Sequence, residues 1–323
     1  MLKPWGDASW EPEALGAEFE FRHQIASDPD ELARALSQGV HILLACRDIS
    51  VGRRLLEGAR DLIGVVSYSV NDASNVDLDA ATRLGILVTS TPGSQTNAVA
   101  EHTIALLLAS ARRIVVADQT VRLGAWHERE RLVAVDIAGS VLGLCGWGKI
   151  AACVAQKAEA LGMRVIVHST HVAQDSLPYP VVTMAELLPQ SDFLSLHARR
   201  VPSDPPLIGV SELRGMKPTA YLINTARGFL IDETALARAL REGWIAGAAL
   251  DVLREEPPTT GNPLFGCPNL LLTPHLAWNT HQVREAERKA IAGQIRDMAS
   301  GARPGSLVNP DAWPHRRLWS SAR

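Results

Sequence analysis

Val141-Leu142-Gly143-Leu144-Cys145-Gly146-Trp147-Gly148-Lys149-Ile150-Ala151 runs from an apolar strand through a glycine turn into a helix, and this passage decides the fold. Strand before and helix after give a GxGxx(G/A) pattern its physical meaning. Gly146 permits a tight turn, and Gly148 lets backbone amides approach a pyrophosphate whose charge the helix N-terminus favours. Ala151 is small enough for the helix to pack closely on the strand. The turn Gly146, Trp147, Gly148, Lys149 and Ile150 is therefore the candidate dinucleotide cradle.

Short apolar runs alternate with helical stretches on both sides of this passage, the pattern of βαβ units and a parallel sheet. Before it, strands are expected at 40–45, 62–67 and 86–89; after it, at 164–168, 193–197, 220–223, 246–250 and 270–272. Helices are expected at 77–84 and 281–299, and as one long helix at 97–121 with an apolar face suited to a domain junction or subunit interface. Asp232 is placed to cap a helix running to Glu242, with Gly243 beyond its end. Residues 1–10 contain no strand-like run before a short helical candidate at 13–17, so if the first domain is also doubly wound, either the start is truncated or its edge is built differently.

The 323 residues suffice for two cores, and 46% hydrophobic with 21% charged residues fits an ordinary globular protein. A net charge of −3 gives no electrostatic reason to expect nucleic acid, and the basic tail His315-Arg316-Arg317 is too short to change that. No apolar segment approaches the roughly 20 residues that span a bilayer, and no signal peptide opens the chain. Four cysteines without a CxxC pair fit reduced thiols in a cytoplasm, Cys145 reads as buried and unreactive, and no metal site is proposed.

Three stretches follow buried-strand patterns in the second half: Asn224-Thr225-Ala226-Arg227-Gly228, Asp251 to Glu256-Pro257, and Thr273-Pro274-His275. Parallel strands present their carboxyl ends along one edge, where open α/β sheets bind ligands. An arginine for anion recognition and a histidine coupled to a carboxylate point to reduction or oxidation of a small carboxylate. After the strand at 164–168 the chain reads His168-Ser169-Thr170-His171, with no acid to bind the adenosine ribose of NAD. Ser169 and Thr170 can donate to the 2′-phosphate of NADP, so the reading leans to NADP. With no arginine clamp present, an NAD site with a weak ribose contact is the other reading.

The chain also resembles the D-isomer-specific 2-hydroxyacid dehydrogenase family, nearest in look to its glycerate dehydrogenase and hydroxypyruvate or glyoxylate reductase branch. The likeness runs from about residue 62 to 309. It is carried by Asn75-Val76-Asp77-Leu78-Asp79-Ala80-Ala81, Val99-Ala100-Glu101, the Gly146 turn, Ser195-Leu196-His197, Met216-Lys217-Pro218 and Ile223-Asn224-Thr225-Ala226-Arg227-Gly228. Leu250-Asp251-Val252 and Thr273-Pro274-His275 complete it. The resemblance implies two doubly wound parallel-sheet domains. A Rossmann cofactor domain, 102–278, is inserted into a flavodoxin-like substrate domain, 1–101 with 279–323, and the cleft lies between them.

By the same resemblance Arg227 binds the substrate carboxylate and keto oxygen, and His275 exchanges a proton with the substrate oxygen. Glu256 orients the imidazole. Asp251 meets the nicotinamide carboxamide, Ala198 and Thr225 are further cofactor-binding positions, and Trp278 caps a small substrate. A homodimer is implied as well.

Two departures stand out. The substrate loop, Ser69-Val70-Asn71-Asp72-Ala73-Ser74, lacks the family's glycine, although Asn71 and Asp72 remain its substrate-binding candidates. Arg199 stands where the family has proline, within reach of a cofactor phosphate or simply on the surface. These departures keep two alternatives open: a dinucleotide-sensing binding protein with little turnover, and a dehydrogenase of another small anion such as phosphite.

Overall fold

The computed structural model describes residues 15–16, 19–20, 29–45, 49–67, 73–91, 93–173 and 176–319. The chain divides into two compact units, one of Met1–Ser94 with Thr280–Arg323 and one of Gln95–Asn279. The sequence placed these junctions at 101/102 and 278/279. Residues 1–10, where an opening strand was sought, lie outside the described residues, as do Asn71 and Asp72.

The discontinuous unit holds α1 (Pro29–Leu36), β1 (Ile42–Ala45), α2 (Arg53–Gly58), β2 (Gly64–Ser67), α3 (Leu78–Arg83) and β3 (Leu87–Thr89), with the late helix α10 (His281–Ser300). Its described strands pair in parallel in the order β1-β2-β3. Successive residues alternate between two cores, as period-2 strands buried on both faces must. Leu43, Val65 and Val88 join one core, while Leu44, Val66 and Leu87 meet Ile291, Ile295 and Met298 of α10 in the other. The tail read as merely basic is a clasp: the Arg317 guanidinium donates to the carbonyls of Leu84, Ala59, Arg60 and Leu62.

The second unit begins with α4 (Thr96–Ala111), α5 (Ile114–Arg122) and a 3-10 turn at Trp126–Arg131. The alternation continues through β4 (Val141–Cys145), α6 (Lys149–Ala160), β5 (Arg164–His168), α7 (Met184–Gln190), β6 (Phe193–Leu196) and α8 (Val210–Gly215). It closes with β7 (Tyr221–Asn224), α9 (Glu233–Glu242), β8 (Gly247–Leu250) and β9 (Leu270–Leu272). The six parallel strands lie in the order β5-β4-β6-β7-β8-β9. Leu194, Leu222 and Ala248 point to one face with Leu213, Leu236 and Leu240; Phe193, Tyr221, Ile223 and Ala249 point to the other, with Ile104, Leu107 and Val154.

The expected single helix at 97–121 is two helices. Arg113 adopts a left-handed φ of 54° and its N–H turns back to the Ser110 carbonyl, which ends the first. Burial supplies the reason: α4 packs Ala98, Ile104, Leu106, Leu107 and Ala111 into the core, whereas no residue of α5 is buried. The apolar positions of the sequence run through both halves, and only the first has a sheet beneath it.

Asp232 caps α9 by accepting from the Thr234 and Ala235 amides at 3.0 Å, and Gly243 closes the helix at φ 70°. Asp232→Ala is expected to destabilise the protein by about 1 kcal/mol, read from urea unfolding. An unchanged midpoint would show that this cap contributes nothing.

Candidate active site

The strand order reverses at β4, which pairs with β5 on one side and β6 on the other. Such a switch point opens a crevice at the carboxyl ends of the strands, and there the chain makes the Gly146 turn. Gly146 has φ 98°, and a Cβ would run into the backbone of His197 and Ala198, so a glycine is required. Gly148 sits before α6 with no side-chain cap, and nothing lies within 4 Å of where its Cβ would be. The 12-residue helix thus begins without a side-chain acceptor from the cap position, and there is room beside Gly148 for a ligand. These residues fit a dinucleotide pyrophosphate.

Around this turn the Trp147 ring packs on Tyr179 at 5.7 Å, Lys149 is exposed, and Ile150 is half-buried against the core. Ala198 is the backbone neighbour that Gly146 must approach. Ser169 Oγ accepts from the His171 amide at 3.3 Å, and Thr170 is exposed beside it. His168, the last residue of β5, is tied to the Val182 carbonyl at 3.0 Å.

Farther along the same edge, the register sets Asn224, Leu250 and Leu272 side by side. The three stretches singled out in the sequence therefore leave neighbouring strands in the same direction. Asn224 shapes the first loop: its side chain accepts from the Ala226 amide at 3.0 Å and donates to the Arg227 carbonyl at 2.9 Å. Arg227 is exposed, and its Nη1 donates to the Ala226 carbonyl at 2.7 Å. Gly228 is buried so tightly against the Leu253 and Arg254 backbone that a Cβ would overlap it. That contact fastens the Arg227 loop to the loop bearing Glu256.

Glu256 accepts from the Leu253 amide at 2.9 Å through Oε1, while Oε2 lies 2.5 Å from His275 Nδ1. The pair is partly open, with side-chain exposures of 23% for His275 and 35% for Glu256. A carboxylate on Nδ1 selects the tautomer of the ring. His275 has φ 51°, uncommon for a residue with a side chain, and its amide is pinned by the carbonyls of Asp251 and Thr273. A held left-handed residue is a common mark of functional turns.

Asp251 supplies much of that restraint. It is 1% exposed, and Oδ1 accepts from Thr273 Oγ1 at 2.6 Å and the Leu276 amide at 3.0 Å. Oδ2 accepts from the Ala277 amide at 2.9 Å, and His102 Nε2 lies 3.5 Å from Oδ1. Burial alone would raise this carboxyl, but hydrogen bonds from His102, Thr273 and the two amides outweigh it and hold the pKa below the ordinary value. The Asp251 carboxylate thereby organises the 273–277 turn.

Thr225, the remaining cofactor-side candidate, is buried with its hydroxyl 2.8 Å from that of Thr103 on α4. Trp278 is half-buried just past the His275 turn. Asn224, Thr273, His102 and Thr103 escaped assignment although two of them stand inside the quoted motifs. Nothing in the sequence spacing links α4 to the strand ends that it touches. No cluster of histidines, cysteines and carboxylates suited to a metal occurs among the described residues, and none of their helices is long and apolar enough to cross a membrane.

Residues 104–277 match the family described as D-isomer specific 2-hydroxyacid dehydrogenase, NAD binding domain. A glyoxylate reductase of Thermococcus litoralis is 41% identical over 270 residues, covering 81% of each chain. Among solved structures, a protein of Thermus thermophilus superposes with a TM-score of 0.83 at 37% identity, covering 90% of this chain and 92% of that one. An NADPH-dependent glyoxylate/hydroxypyruvate reductase of Sinorhizobium meliloti, solved with NADP and malonate, gives 0.73 at 29% identity over 86% of each.

His197, which lines the Gly146 turn, bonds Ser195 Oγ at 2.9 Å, and desolvation lowers its pKa from 6.5 to about 4. The folded state then binds fewer protons than the unfolded state between these values, so stability should fall as pH drops through that window. Urea unfolding at a series of pH values should show this slope, and His197→Gln should flatten it. An identical slope in the variant would assign the acid sensitivity elsewhere.

Proposed function

Because the chain belongs to the D-isomer-specific 2-hydroxyacid dehydrogenase family, we propose that it reduces a small 2-oxo carboxylate of the glyoxylate or hydroxypyruvate type to its D-2-hydroxy acid. The observation that carries this reading is the His275–Glu256 pair, with Nδ1 on the carboxylate. The glyoxylate reductase of Thermococcus litoralis and the hydroxypyruvate-reducing enzyme of Sinorhizobium meliloti support the substrate class.

In this proposal Arg227 binds the carboxylate and keto oxygen through charge-assisted, bidentate hydrogen bonds. Its backbone carbonyl is fixed by Asn224. His275 gives a proton from Nε2 to the carbonyl oxygen as it gains negative charge, and Glu256 holds the ring and balances the imidazolium that donates. The bound nicotinamide supplies the hydride, and the Gly146 turn with the α6 N-terminus holds its pyrophosphate. Thr225, Ala198 and Asp251 complete the cofactor side, and Trp278 with Asn71 and Asp72 is assigned to substrate.

The cofactor assigned is NADP(H). No acid stands at 169–171 directly after β5, the hydroxyls of Ser169 and Thr170 can donate to a 2′-phosphate, and Arg199 lies exposed one residue beyond the Ala198 that Gly146 abuts. Ile114, Val121, Leu123, Trp126 and Val133 expose between 52% and 83% of their surface along α5 and the segment after it. Exposed apolar residues so close together in the chain support an interface there, and its assigned occupant is a second copy of the chain.

Purified protein should oxidise NADPH with glyoxylate or hydroxypyruvate faster than with pyruvate or 2-ketoisocaproate, and bind NADPH more tightly than NADH. Tight cofactor binding with no turnover on any 2-oxo acid would replace the enzyme reading with a dinucleotide sensor. Arg227→Ala should lower kcat/KM by roughly 10²-fold or more, and His275→Ala should lower kcat by roughly 10²- to 10⁴-fold. Unchanged kinetics in either variant would remove that residue from the mechanism. Light scattering should give twice the chain mass, and Leu123→Glu with Trp126→Glu should give the monomer; a monomeric parent protein would refute the interface.

A further inference from the structure

We infer that His102, on the second turn of α4, is a positioning residue for the reaction, holding the turn that presents His275 through Thr273 and the buried carboxylate of Asp251. The inference rests on the proposed role of His275 as proton donor. His102 Nε2 lies 3.1 Å from Thr273 Oγ1 and 3.5 Å from Asp251 Oδ1, with side-chain exposures of 18% for the histidine and 1% for the aspartate.

The direction of the hydrogen bonds follows from proton counting. Thr273 has one hydroxyl proton, and the 2.6 Å contact gives it to Asp251. Toward His102 the hydroxyl therefore offers a lone pair, and Nε2 must carry a hydrogen. A relay results: His102 Nε2–H to Thr273 Oγ1, Thr273 Oγ1–H to Asp251 Oδ1. Asp251 in turn receives the amides of Leu276 and Ala277, and its backbone carbonyl receives the His275 amide. Every one of these bonds restrains the same five-residue turn, whose third member has a left-handed φ of 51°.

The neighbouring residue on the helix reaches the other catalytic loop. Thr103 Oγ1 lies 2.8 Å from Thr225 Oγ1, two residues before Arg227. Successive residues of α4 thus brace the loop of the proposed anion anchor and the turn of the proposed proton donor. The helix is itself fixed by Ala100, Ile104 and Leu107 in the core beneath the sheet. A polar side chain here has a geometric consequence, because a displacement of about 1 Å at a reacting group costs about 10²-fold in rate.

The test is steady-state reduction kinetics of the full-length protein with His102→Leu, His102→Gln and Thr273→Val, accompanied by NADPH affinity and by imidazole NMR of His275. Glutamine places an N–H near the position of Nε2, while leucine has none. His102→Leu should lower kcat about 10- to 100-fold, with substrate KM and NADPH affinity within about threefold. His102→Gln should recover most of the rate. Thr273→Val should reproduce the leucine variant, and the double variant should be no slower than either, because both interrupt one relay. The inference is overturned if His102→Leu turns over within twofold of the parent, or if glutamine loses as much as leucine. Should the parent protein itself reduce no 2-oxo acid, the functional reading fails separately; the relay then stands or falls on whether His102→Leu, and not His102→Gln, shifts the His275 ring resonances.

Discussion

The site is organised around a single buried negative charge. An unpaired carboxylate as enclosed as Asp251 costs several kcal/mol, so it is tolerated only where donors converge on it. Thr273, Leu276 and Ala277 supply three of them from one turn, and His102 approaches from a helix. Hydrogen bonds to a charged group contribute about 1.5–3 kcal/mol each, enough together to hold the otherwise unfavourable left-handed backbone of His275. The carboxylate works as a template: the geometry that satisfies it is the geometry that aims the imidazole at Glu256.

The rest of the unit makes that template rigid. Parallel pairing fixes Asn224, Leu250 and Leu272 at one level, so the loops leaving β7, β8 and β9 begin in register. Gly228 then allows the Arg227 loop to lie against the backbone of the Glu256 loop, a contact that any side chain would prevent. At the reversal point of the sheet, Gly146 performs the corresponding service for the cofactor cradle by meeting His197 and Ala198. Precision at the reacting groups therefore comes from backbone approaches set by two glycines and from one charge, with exposed side chains left to meet the ligands.

Much of this was legible in the sequence because local chemistry and global fold agree there. The Gly146 turn lies between β4 and α6 where its neighbours said it would, and Asp232 and Gly243 delimit α9 by capping chemistry alone. The arginine, glutamate and histidine could be picked out because each directly follows an apolar strand. Periodicity failed where it carries no information about what lies underneath. The apolar stretch from 97 to 121 reads as one helix, yet Arg113 breaks it where the sheet ends. The service of Asp251 to its own chain was not legible, since a sequence does not show that its carboxylate accepts from Thr273, Leu276 and Ala277. His102 was invisible for a related reason: its partners stand 149 and 171 residues away.

In the proposed reaction Arg227, His275 and Glu256 would hold a 2-oxo acid so that the nicotinamide reduces one face only. Chiral analysis of the product made from hydroxypyruvate and NADPH tests it most directly. D-glycerate is expected as the sole enantiomer. L-glycerate, a racemate, or D-glycerate formed equally well by His275→Ala would contradict it.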